Sequence, residues 1–215
     1  MVQLRFVAAG VALFAAELIA QERHASARGD RYLSGSQAVT FGSYAGPHLS
    51  YIRDRAVTMV AFHHEYTLVA AWGVTLSHVL EAPLAVLGPP RTDRCTAADH
   101  SDTCSRAFQS GGTSVGLGLS PLGLRVSAPG NGRARLFGSV AGGVMLFDRR
   151  TPSSRARALN FAGDYVAGVE VDVGRKSAIS AGWKFQHWSN GGTASSNPGI
   201  DANLLIVSVK RRRQD

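Results

Sequence analysis

The sequence predicts an all-β protein, an eight-stranded antiparallel β-barrel of the outer-membrane type. Three observations carry this. Beyond the first 27 residues, hydrophobicity alternates with period two over long segments, as in strands whose two faces meet different surroundings. The breaks between those segments are alternately short and long, which in membrane barrels means turns on one side and loops on the other. The composition, with 24 glycines and only 18% charged residues, suits a small-residue-rich sheet better than helices.

Residues 1–27 read as a secretory signal, leaving 28–215 as a single barrel domain. Arg5 supplies a short basic region and Phe6 to Ala16 an apolar core. Cleavage is expected after Ala20 or after Ala25-Ser26-Ala27. No later stretch has the roughly 20 consecutive apolar residues of a helical span. The net charge of +8 suits an anionic lipid surface or nucleic acid. No zinc-finger, RNA-recognition or helix-turn-helix pattern is present, so nucleic acid is not an expected partner. Cys95 and Cys104 share one polar segment of an exported chain and suggest a local disulfide. His100 between them does not complete a usual metal-ligand set, so no metal is expected.

The strands follow in order. Gln37 to Gly46 is a weak first strand. Ala56 to Ala71 is the second, with Val60, Phe62, His64, Tyr66 and Leu68 in one phase. A tight break at Trp72-Gly73 leads into a third strand ending near Leu87. Gly112 to Val126 is the fourth, with Leu122, Leu124 and Val126 in phase. Pro121 inside it implies an edge or a bulge. After the turn Pro129-Gly130-Asn131-Gly132 comes the fifth strand, Ala134 to Phe147. In the sixth, Phe161, Tyr165, Ala167, Val169, Val171 and Val173 share one face, and Asp164, Gly168, Glu170 and Asp172 the other. Ser177 to Ser189 and Asp201 to Arg211 complete the set. Most of these exceed the soluble-strand mode of about five or six residues and reach the 9–11 or so that span a bilayer.

The stretch of chemical interest joins the last two strands. His187 and Ser189 are two apart, so they share a face, with Trp188 on the other. They continue the apolar phase Ile179, Ala181, Trp183, Phe185, which in a membrane barrel faces lipid. Asp201 shares a phase with Leu205, Val207 and Val209, so it also points outward at the same extracellular rim. A nucleophile, a base and an acid are the parts of a Ser-His-acid triad. A His-x-Ser pair alone is more often structural. Polar groups clustered on a lipid-facing wall are costly, however, and need a reason. Either they sit at headgroup level, or they form an enzyme site approached sideways by a membrane lipid. Arg149 and Arg150, with Arg155 and Arg157, lie on the neighbouring loop and are candidate phosphate contacts. His63, His64 and Glu65 are read as rim or lumen contacts.

The run His187-Trp188-Ser189-Asn190-Gly191-Gly192, followed by Asn197-Pro198-Gly199-Ile200-Asp201, resembles the C-terminal signature of the lipid A 3-O-deacylase family of outer-membrane enzymes. The resemblance implies hydrolysis of the ester-linked hydroxyacyl chain at position 3 of lipid A, without metal or organic cofactor. It implies Ser189 as nucleophile, His187 as general base and Asp201 as the orienting acid, where the familiar family member has Glu. It matches the Asn197 side chain and the Gly192 N–H to oxyanion-stabilising positions, and Asn190 to a site-shaping one. Lipopolysaccharide is then the substrate and outer-membrane lipid the surrounding partner, with a homodimer left open. Two other readings compete: a non-enzymatic structural or adhesive barrel, and a soluble periplasmic barrel carrying lipid in an apolar lumen.

Overall fold

The computed structural model describes residues 35–44, 56–89, 112–128, 133–151, 156–174, 177–195, 197 and 199–212. They belong to the compact unit Leu33–Asp215. The signal segment, the two cysteines, His100 and Arg155 lie outside the described residues.

Eight strands form a closed antiparallel barrel in sequence order: β1 Gly35–Tyr44, β2 Val57–Ala71, β3 Val74–Leu87, β4 Ser114–Ala128, β5 Ala134–Phe147, β6 Leu159–Asp172, β7 Ser177–Ser189 and β8 Ile200–Arg212. β8 pairs with β1 and closes the sheet, so no edge is left unpaired in lipid. β1 runs two residues earlier than the alternation suggests, because its register is set by its two neighbours rather than by its own weak pattern. β2 to β8 are 13–15 residues long, enough to cross a bilayer. The β2–β3 turn is tight: Trp72 and Gly73 both have positive φ (51° and 78°), as a two-residue type I′ hairpin requires.

Alternation sorts the side chains as expected. Leu117, Leu136, Leu146, Phe161, Tyr165, Leu205 and Val207 are exposed on the outer wall. The lumen is filled by ion pairs. Lys184 Nζ lies 2.7 Å from Glu81 Oε1 and 3.0 Å from Asp164 Oδ2, and His63 Nδ1 is 3.3 Å from Glu81. Towards the end with the short turns, Lys210 pairs with Glu65 at 2.6 Å and with Glu170 at 3.4 Å. Arg125 and Arg135 also pair with Glu170, at 2.6 and 3.3 Å. Arg125 also lies over the Phe137 ring, 3.8 Å from its centroid. This lumen is not the apolar cavity a soluble lipid carrier needs.

The other end of the lumen, beneath the β7–β8 connection, differs. Val57, Met59, Leu87, Met145, Phe147, Trp188, Ile200 and Leu204 form a buried apolar cluster there. Removing each such side chain from water contributes about 1.5–3 kcal/mol. The cluster backs the wall that carries His187 and Ser189.

Pro121 does sit at a bulge, where the register shifts between Leu119 and Leu122. Val115, Leu117 and Leu119 face outward before it, and Leu122, Leu124 and Val126 after it, so the bulge switches the outward phase from odd to even positions. The Pro121 carbonyl is bonded by His78 Nε2 at 2.8 Å. That matters in lipid, where water cannot satisfy a carbonyl released from the ladder.

Candidate active site

The site is built on β7, β8 and the connection between them. β7 keeps Ala178, Ser180, Lys184, Gln186 and Trp188 buried in the lumen and turns the intervening residues outward. Its register is pinned from inside. Trp188 is fully buried and meets Phe147 edge-on, with ring centroids 6.0 Å apart. Gln186 Nε2 donates to the Gly163 carbonyl of β6 at 3.1 Å. A one-residue slip would put His187 and Ser189 into the lumen.

The β7–β8 register sets His187 directly opposite Asp201, and the β6–β7 register sets Ser189 opposite Phe161. His187 Nδ1 lies 2.5 Å from Asp201 Oδ1. The shorter acid therefore reaches the ring, because directly opposed residues of antiparallel strands stand close. With Nδ1–H given to the carboxylate, a neutral imidazole keeps Nε2 as a free acceptor. The His187 side chain is 45% exposed and that of Asp201 19%, so the ring is open to the membrane side while its acid is sheltered. Ser189 lies on the same outer face and is half-buried. No hydrogen bond joins its hydroxyl to His187 in this conformation. Such bonds often tighten only when substrate is bound.

Two glycines make the geometry feasible. Gly191 has φ 61°, and a Cβ on it would fall 2.8 Å from the Phe161 ring. Gly199 has φ 68°, and its Cβ would stand 3.1 Å from His187 Cε1, so any side chain there would crowd the imidazole.

The turn after Ser189 is held by its own polar groups. Thr193 N–H and Oγ1 both donate to the Asn190 carbonyl, at 3.1 and 2.7 Å. The buried Asn190 accepts the Gly192 N–H on its Oδ1 at 3.0 Å and donates its own N–H to Asn197 Oδ1 at 2.9 Å. The sequence expectation had Gly192 N–H facing an oxyanion. Here it is engaged within the turn, because the Asn190 amide two residues back competes for it. Asn197 has its oxygen committed, which leaves its Nδ2 as a donor.

The arginines divide. Arg149 is bonded to Asp148, with Nη2 at 3.1 Å from Oδ2. Burial would raise the Asp148 carboxyl, but hydrogen bonds from Arg149, Ser114 and the Val115 N–H outweigh it and hold the group below its ordinary value. Arg150 is exposed beside it. Arg157, a candidate phosphate contact in the sequence reading, donates from Nε and Nη2 to the Thr193 carbonyl, at 3.1 and 3.0 Å. A side chain-to-carbonyl contact of this kind leaves no mark in a sequence, whereas Gly199 and Gly191 could have been suspected from the Asn-Pro-Gly and Asn-Gly-Gly turns.

A family model described as lipid A 3-O-deacylase (PagL) matches residues 91–210, more than half of the chain. The chain belongs to the lipid A 3-O-deacylase family. Membership makes it a hydrolase of the outer membrane. Among solved structures, the outer membrane enzyme PagL is 15% identical, with a TM-score of 0.57 over 80% of this chain and 97% of that one. Neisserial surface protein A is 7% identical over 86% and 100% of the two chains (TM-score 0.49). The Yersinia pestis protein Ail is 11% identical over 84% and 99% (TM-score 0.43). No curated protein matches the chain. The family, the barrel and the outer-membrane location thus agree with the sequence reading, and the first of these solved structures supports the fold.

Proposed function

We propose that this deacylase removes the 3-O-linked hydroxyacyl chain of lipid A through Ser189, His187 and Asp201. The observation that carries the reading is the His187–Asp201 contact of 2.5 Å on the outer wall, with Ser189 on the same face. Asp201 holds the imidazole by Nδ1. Nε2 takes the Ser189 proton as Oγ attacks the ester carbonyl. Asn197 Nδ2 would donate to the resulting oxyanion, joined by the Gly192 N–H once Asn190 releases it. Collapse breaks the ester bond, and His187 returns the proton to the departing sugar hydroxyl. Water then cleaves the acyl-serine, with His187 again as base, and frees the hydroxy fatty acid. Arg149 and Arg150, on the β5–β6 loop, would meet the lipid A phosphates.

The wall beside the site has room for an acyl chain. Cross-strand partners place Gly163 next to His187, Gly142 next to Gly163 and Leu122 beyond. Neither glycine is required by packing, since a Cβ on either would meet only a carbonyl 4.0 Å away. The two leave a shallow trough between Phe161 and Tyr165 at the level of the imidazole. Gly163→Leu fills it. The variant is expected to keep a heat-modifiable barrel while losing about tenfold or more in kcat/KM on lipid A, because misplacing a substrate by an ångström is that costly. Unchanged kcat/KM would remove the trough from the account.

Mass spectrometry of lipid A tests the function itself. Cells making the wild-type protein should lose one 3-hydroxyacyl chain, and cells making His187→Ala should not. Intact lipid A in both, with the barrel folded in the outer membrane, would instead favour a non-catalytic barrel.

A further inference from the structure

We propose that Arg157 is a positioning residue for this site, bracing from the β5–β6 loop the turn that follows Ser189. The proposal rests on the serine-esterase reading above. Both guanidinium donors converge on one acceptor, the Thr193 carbonyl. Thr193 is tied through its N–H and hydroxyl to the carbonyl of Asn190, the residue after Ser189. Asn190 in turn fixes Asn197, whose Nδ2 would stabilise the oxyanion, and holds the Gly192 N–H within the turn until substrate displaces it. A displacement of Thr193 therefore passes to the nucleophile's neighbour and to both donors.

The bracket is itself anchored. The Arg157 carbonyl accepts from the Thr151 N–H at 3.1 Å and from the buried Asn160 Nδ2 at 3.2 Å. Asn160 Nδ2 also reaches the Ala158 carbonyl at 3.2 Å. Thr151 Oγ1 lies 3.0 Å from Ser114 Oγ, which donates to Asp148 at 2.8 Å. The Asp148 N–H bonds to the Val115 carbonyl on β4 at 2.8 Å. A continuous set of bonds thus runs from the β4 wall through the β5–β6 loop to the turn beside Ser189. Arginine suits the place because its planar fork presents two N–H groups to one oxygen, which a lysine ammonium does not reproduce.

Full-length Arg157→Ala, Arg157→Gln and Arg157→Lys, each confirmed as a heat-modifiable barrel, are assayed on lipid A in detergent micelles. Arg157→Ala is expected to lower kcat about 10- to 100-fold, with KM moving less than about threefold, since the bracket orients groups used mainly in the transition state. Lysine should recover part of kcat, and millimolar guanidinium should recover part of it for the Ala variant. Hydrogen exchange should rise in residues 190–199. Arg157→Gln answers the same question if the Ala variant does not fold. A raised KM with intact kcat would overturn the proposal and make Arg157 a phosphate contact. Ser189→Ala run in parallel separates two failures. If it stays active, the serine reading falls, and with it the service Arg157 is said to give. If it is inactive while Arg157→Ala keeps wild-type constants, the Arg157 proposal alone falls.

Discussion

Ser189→Ala is expected to abolish deacylation of lipid A, lowering kcat by about 10⁴- to 10⁶-fold, the range over which removal of a serine nucleophile acts. The loss follows from the parts that remain. Without Oγ there is no acyl-enzyme, and Nε2 of His187 has no proton to take from the chain. The oxyanion donors and the trough stay in place, so KM should change little. Asp201→Asn is the companion variant. It keeps the size of the side chain but offers Nδ1 a neutral partner that cannot stabilise an imidazolium, and about 10⁴-fold in kcat should go with it. Single-turnover assays on purified lipid A, followed by mass spectrometry, read both. A Ser189→Ala enzyme within tenfold of wild type would sink the serine mechanism and point to direct attack by water activated at His187.

Lys184→Met should destabilise the barrel by about 3–5 kcal/mol, the cost of breaking a buried ion cluster from one side. Lys184 is 1% exposed and holds two carboxylates that approach from different strands, Glu81 on β3 and Asp164 on β6. Without the ammonium, two buried acids face each other. Urea unfolding in lipid vesicles, or the temperature at which the compact band is lost on a gel, measures the change. Lys184→Met combined with Glu81→Gln and Asp164→Asn should recover most of the stability, because no uncompensated charge is left. Equal stability of Lys184→Met and wild type would show that these pairs do not hold β7. Lys184 lies three residues from His187 on the same strand, so partial loss of activity should accompany the loss of stability.

Much of the fold was legible because a membrane barrel imposes one rule on every strand. Apolar residues face lipid, small or polar ones face the lumen, and each strand must be long enough to cross. Phe161, Tyr165 and Val169 against Asp164, Gly168 and Glu170 display that rule without any neighbour's help. β1 was read less well, since its pattern is weak and its register comes from β2 and β8. Pro121 announced the bulge, but not that His78 would satisfy the carbonyl there, because the two are 43 residues apart.

The same division holds for the site. The outward phase of His187, Ser189 and Asp201 could be read from the residues alone, since alternation along a strand is a local property fixed by backbone geometry. So could the family motif and the outer-membrane wall that carries it. Which groups meet came from the folded barrel. Strand register set Asp201 opposite His187 close enough for a 2.5 Å contact. It also assembled Lys184 with Glu81 and Asp164, turned the Gly192 N–H towards Asn190, and committed Arg157 to Thr193. Those outcomes depend on distances between segments remote in the chain, which local periodicity does not encode.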